Sequence, residues 1–158
     1  MSNPNNIEIE KKYLLKNLPE NLVNYESHLI AQGYISREPV VRIRRWDNDF
    51  ILTIKSKGFS HIEVEKYLTE DEYNSLSQMV IGHTIEKTRY IIPLSDYGYS
   101  DLSLELDIFH GYLEGLTLAE VEFPSIEKAE SFIAPDFISE DVTNDPKYYN
   151  SNLSSLKV

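Results

Sequence analysis

The sequence predicts an α+β, mainly β fold: an eight-stranded antiparallel closed β-barrel with a charged interior and helices packed outside. Three observations lead there. Many short segments alternate apolar and polar residues with period two, the mark of strands. Tight turns join successive segments, which favours antiparallel neighbours over βαβ units. Charged residues keep one parity within each segment, so each strand has one charged and one apolar face.

Ile7 to Leu15 alternates at its start and is the first strand. Val40 to Arg44 and Phe50 to Lys55 form a hairpin around the turn residues Asp47, Asn48 and Asp49. Ile62 to Leu68 follows a second turn at Lys57-Gly58-Phe59-Ser60. Thr84 to Pro93, Leu102 to Phe109 and Leu116 to Phe123 are three more strands. A short strand near Tyr34-Ile35-Ser36 brings the count to about eight, enough to close a barrel.

Helices are expected between them. Pro19 and Gly33 bracket one over residues 19–32. Thr69-Glu70-Asp71-Glu72 is a capping box for a second, which Gly82 would end. Ser125 starts a third and Asp145-Pro146 a fourth.

The chain has 158 residues, so one domain over 1–158 is expected. It lacks cysteine, which excludes disulfides, iron–sulfur clusters and thiol chemistry. Twenty-six acids against 15 bases give a net charge of −11, which speaks against a nucleic-acid partner. No apolar run approaches the ~20 residues that span a bilayer, so no membrane partner is expected. The opening MSNPNNIEIEKKY has no charged-then-apolar leader pattern, which predicts a cytoplasmic protein.

The parity of the charges carries the functional reading. Glu8, Glu10 and Lys12 share a face, as do Arg42 and Arg44, Thr53 and Lys55, and Glu63 and Glu65. So do Lys87 and Arg89, Glu105 and Asp107, and Glu120 and Glu122. Taken singly, each reads as a solvated outer face. Taken together, outward charges would leave the amphipathic helices no apolar surface to dock on. Turned inward, the set places eight acids and six bases in one cavity. Such a lining is expensive unless the charges are paired or meet a ligand. Forked arginines and compact lysines suit a polyphosphate. Clustered carboxylates suit Mg²⁺ or Mn²⁺.

Glu8-Ile9-Glu10-Lys11-Lys12 resembles the ExExK signature of the CYTH superfamily, the triphosphate tunnel metalloenzymes. The segments Arg42-Ile43-Arg44, Thr53-Ile54-Lys55-Ser56, Glu63-Val64-Glu65 and Glu86-Lys87-Thr88-Arg89-Tyr90 occur in the family's order and at similar spacing. So do Leu104 to Phe109 and Leu118 to Phe123. The match covers nearly the whole chain and is similar to the small bacterial inorganic triphosphatases.

The resemblance implies a triphosphate tunnel and metal-dependent hydrolysis of a triphosphate, most simply inorganic tripolyphosphate. Thiamine triphosphate hydrolysis and class IV adenylate cyclase activity are the alternatives. It implies that Arg42, Arg44, Lys55, Lys87 and Arg89 bind the substrate. Lys12 would act at the reacting phosphate, with Tyr34 as its catalytic partner. Glu8, Glu10, Glu105, Asp107, Glu120 and Glu122 would hold Mg²⁺ or Mn²⁺, supported by Glu63 and Glu65. The partner is then a small polyanion, a triphosphate or nucleoside triphosphate, taken up by a monomer or homodimer. His61 stands where relatives often carry an arginine, which would alter one phosphate contact.

Little else in the sequence competes. The four histidines, His28, His61, His83 and His110, show no metal-ligand spacing and are expected on the surface. Trp46 follows the parity of Arg42 and Arg44 and is expected at the cavity rim. There is no phosphate-binding glycine loop and no G-x-S-x-G elbow. A non-catalytic polyphosphate sensor would not need so many acids.

Overall fold

The computed structural model of the chain describes residues 8–55 and 63–156. Nine antiparallel strands form one sheet. They are β1 (Glu10–Leu15), β2 (Glu26–Arg37), β3 (Val40–Trp46), β4 (Asp49–Lys55), β5 (Glu63–Leu68), β6 (Ile81–Pro93), β7 (Ser103–Phe109), β8 (Thr117–Glu122) and β9 (Ile138–Asp141). Their order is β5-β4-β3-β2-β6-β7-β8-β1-β9.

The expected closed eight-stranded barrel is not what forms. The sheet is open in hydrogen bonding, with β5 and β9 as its outer strands among the described residues. The reason lies at β1. Its outer edge is taken by β9, through Tyr13 opposite Asp141 and Leu14 opposite Glu140, so it offers no ladder to β5. The sheet nevertheless curls. Six steps of strand spacing separate β4 from β1, about 29 Å if the sheet were flat. Yet Lys55 at the end of β4 meets Glu8, just before β1, at 2.9 Å. The strands therefore wrap into a trough whose sides face each other.

The helix expected over residues 19–32 is also absent. A 3-10 turn at Leu22–Asn24 leads directly into the 12-residue β2. Leu22, Tyr25 and Leu29 have helical spacing, but His28, Ile30, Gln32 and Tyr34 have strand spacing, and the strand pattern prevails. Ladders to β3 on one side and β6 on the other satisfy the backbone of β2. Gly33 is not a helix stop. The Val80 side chain lies 2.8 Å from where its Cβ would stand, so the position needs a residue without one.

The remaining helices are short. The capping box at Thr69 and Glu72 opens α1 (Glu70–Ser77) as expected, but α1 ends well before Gly82, which lies in β6. It packs on β3, β4 and β5, with the Tyr73 ring 4.9 Å from Phe50. Ser125 caps α2 (Ile126–Ser131), accepting from the Lys128 amide. Asp145 caps a 3-10 turn, Pro146–Tyr148, before α3 (Asn150–Leu153).

Two apolar clusters hold the sheet. One covers its outer face, where Tyr13, Leu104, Leu106, Ala119 and Val121 pack with Ala129, Phe132 and Phe137. The other fills one end of the trough, where Tyr34, Ile85, Phe109 and Leu118 meet Val142 and Leu153 of the carboxyl-terminal segment. Among the described residues no helix is long and apolar enough to cross a membrane.

Candidate active site

Residues directly opposite in an antiparallel ladder point to the same side. Followed across the sheet, the register gathers the charged residues on the trough face. Glu10 faces Glu122, and Lys12 faces Glu120. Glu120 faces Glu105. Asp107 faces Arg89, and Arg89 faces His28. Tyr34 faces Arg42, which faces Thr53, which faces Glu65; Lys55 faces Glu63. Every described site residue expected from the sequence thus lies on this face or, like Glu8, at its margin. His61 lies outside the described residues.

The bases fall into two kinds. Lys87 and Arg89 are buried, and both grip Asp107. Arg89 donates from Nε and Nη2 to the two carboxylate oxygens at 2.8 and 2.9 Å, and Lys87 Nζ lies 2.9 Å away. Arg89 also reaches Glu105 at 2.6 Å. Burial pushes the Lys87 ammonium down to about 8, although Asp107 supports its charge. Burial works against the Asp107 charge too, but Arg89 and Lys87 outweigh it and hold the carboxyl well below its usual range.

Arg42 and Arg44 differ. Among the described residues Arg42 makes one long contact, Nη2 to Thr53 Oγ1 at 3.4 Å, and the Nε of each is buried without a partner. Burial and the neighbouring Arg42 and Arg89 push Arg44 down to about 10. Unpaired buried donors are costly. Those of Arg42 and Arg44 lie on the same face as the acids. Gln32 Oε1, on the same face, is likewise buried and unpartnered. No charge pattern in the sequence singles out Gln32.

Lys12 donates to the Tyr148 carbonyl at 2.9 Å and lies 3.4 Å from Glu120. Tyr34 does not meet Lys12. Its hydroxyl accepts from Gln32 Nε2 at 3.2 Å inside the apolar cluster at the trough's end.

Several of the acids are raised above the usual carboxylate range by burial and by one another. Enclosing protein atoms and then the Glu120 carboxylate push Glu10 up to about 7, even though water still reaches it. Burial and a hydrogen bond to Glu8 push Glu63 up to about 8. Burial, with Glu8 and Glu105 nearby, raises Glu122. Among the described residues no three acids already converge as a coordination sphere. Their all-oxygen chemistry and mutual repulsion still fit a hard divalent cation.

The chain has known relatives. An inorganic triphosphatase of Nitrosomonas europaea is 35% identical over 153 residues, covering 93% of this chain and 96% of that one. This chain belongs to the inorganic triphosphatase family. A solved structure of the inorganic triphosphatase NE1496 matches it with a TM-score of 0.71 and 33% identity, covering 93% of each chain. A putative adenylyl cyclase from Hippeastrum, described as having dominant triphosphatase activity, shares the fold alone. Its TM-score is 0.55 at 16% identity, over 78% of this chain and 83% of that one. No family model matches the chain.

Proposed function

We propose that this chain is a cytoplasmic, metal-dependent triphosphatase that splits inorganic tripolyphosphate into pyrophosphate and phosphate. The observation that supports this most directly is the pair Arg42 and Arg44, whose buried Nε atoms have no partner on a face they share with the acid set. Family membership agrees with it.

Phosphoryl transfer asks mainly for positioning and charge neutralisation. Arg42 and Arg44 grip the phosphate chain with donors that no acid occupies. Arg89 and Lys87 form a fixed positive floor, already oriented by Asp107. Lys55 and Lys12 add charge at the two margins. Water attacks the terminal phosphorus, the bridging P–O bond breaks, and the bases offset the charge that grows on the leaving pyrophosphate. Glu8, Glu10, Glu105, Glu120 and Glu122 would hold Mg²⁺ or Mn²⁺, which supplies Lewis acidity and positive charge. Asp107 anchors Arg89 and Lys87 instead of joining that set. Tyr34 packs the closed end of the trough.

The test is one incubation panel: tripolyphosphate, ATP and thiamine triphosphate, each with Mg²⁺ or Mn²⁺, reading phosphate and cyclic AMP separately. Phosphate release fastest from tripolyphosphate is the expected result. Cyclic AMP from ATP, or no turnover of tripolyphosphate, would overturn the reading.

A further inference from the structure

Arg89 is aimed by an acid, but Arg44 has no ion pair among the described residues to aim it. Its guanidinium instead lies over the ring of Trp46, 5.1 Å from the centroid. Arg89, from β6, lies 5.8 Å from the same centroid. Trp46 ends β3, and β2 separates β3 from β6, so the indole meets Arg44 of its own strand and reaches across β2 to Arg89.

The indole is itself held. His28 on β2 packs against it with centroids 4.7 Å apart. His28 Nδ1 bonds Asp47 Oδ2 at 2.7 Å, and Nε2 bonds Glu26 Oε2 at 2.6 Å. Asp47 in turn accepts from the Leu29 amide at 2.8 Å, and its carbonyl accepts from Arg45 Nε at 2.8 Å. The turn after Trp46 is therefore tied to β2 on several sides.

We propose that Trp46 is a positioning residue for substrate binding, holding Arg44 and Arg89 side by side at the trough. This rests on the reading that these arginines bind the triphosphate. An acid would hold a guanidinium by its N–H edge and consume the donors. An aromatic face holds it by its π surface and leaves the donors for phosphate oxygens. That is the situation of Arg44, whose Nε is unpaired. The ring quadrupole also offsets part of the repulsion between two adjacent cations.

Trp46 is the sole tryptophan of the chain, so its emission reports on the site directly. The experiment measures tripolyphosphate hydrolysis with Mg²⁺ for wild type, Trp46→Phe and Trp46→Leu, with melting temperatures, and wild-type emission against substrate concentration. Trp46→Leu should raise KM about tenfold, between the scales of an exposed and a desolvated cation–π contact, with kcat and melting temperature nearly unchanged. Trp46→Phe should recover most of the loss. Wild-type emission should shift with a midpoint near KM. An unchanged KM in Trp46→Leu, or emission indifferent to substrate, overturns the proposal. If Trp46→Leu fails to fold, Trp46→Phe and the emission titration still decide. A wild type that does not hydrolyse tripolyphosphate overturns the reading of the site as well, and is distinguished by occurring before any variant is made.

Discussion

Arg89 and Asp107 stand directly opposite each other on β6 and β7 and form a two-pronged pair, Nε to Oδ1 at 2.8 Å and Nη2 to Oδ2 at 2.9 Å. Both are buried, and Lys87 joins the same carboxylate from two residues away. Asp107→Asn keeps the shape but takes from two buried cations the charge they share, leaving Glu105 as the remaining partner of Arg89. Removing one partner of a buried pair costs roughly 3–5 kcal/mol. For a chain of this size that lowers the melting temperature on the order of 10 °C, which calorimetry would show. An unchanged melting temperature would mean that the trio adds nothing to the fold.

Arg42→Ala and Arg44→Ala should behave in the opposite way. Among the described residues neither arginine has an acid partner, and Arg44 is repelled by Arg42 and Arg89. Losing either relieves repulsion, so the empty protein should melt no lower than wild type. Each contributes charged hydrogen bonds worth about 1.5–3 kcal/mol, so affinity for tripolyphosphate should fall roughly 10–100-fold. Calorimetric titration separates the two effects. Arg89→Ala should instead lose stability, because it takes the two-pronged partner from buried Asp107 and leaves that carboxylate with Lys87 alone.

That contrast marks the limit of the sequence. Arg42, Arg44 and Arg89 look alike as members of alternating segments, and alternation correctly placed all three on one face. Which arginine is paired depends on the register between β6 and β7, which no local pattern encodes. The missed β2 has a related cause. Leu22, Tyr25 and Leu29 fit a helix, and only the ladders on both sides decide for a strand. β9 is four residues long with a mixed pattern, too short for alternation to reveal, and it is this strand that denies the sheet its closure. His28 offers no ligand spacing, so its place behind Trp46 appears only once β2 and β3 are paired.

The acids admit a matched comparison. Glu122→Gln keeps volume but removes a negative oxygen donor from the face opposite Glu10. Even outer partners of a metal site are worth about 10–100-fold, so Mg²⁺ affinity and hydrolysis at limiting Mg²⁺ should fall at least tenfold together. Glu114→Gln, at an exposed turn between β7 and β8, should change neither. Equal Mg²⁺ dependence in the two variants would remove Glu122 from the metal set.

The metal-free protein should lose thermal stability as pH rises from about 5 to 8. The sign follows from linkage. Glu10 is raised to about 7 and Glu63 to about 8 in the fold, against 4.5 for an ordinary glutamate. The unfolded chain releases these protons readily, while the folded trough must hold them or tolerate repulsion. Their stabilising share is therefore complete below about 4.5 and lost as pH climbs through 7 and 8. His28 acts in the same direction. Burial opposes its charge, but Asp47 and Glu26 raise it above 6.5, so its share also fades with rising pH. Lys87, lowered to about 8, acts only above that value, and Asp107 only in acid. A divalent cation separates the contributions, because it neutralises the trough carboxylates and leaves His28 alone. Melting curves at pH 5, 6.5 and 8 in EDTA should descend, and Mg²⁺ should restore most of the loss at pH 8 while doing little at pH 5. A flat profile in EDTA, or the same gain from Mg²⁺ at both ends, would show that the raised carboxyls are not where the cation binds.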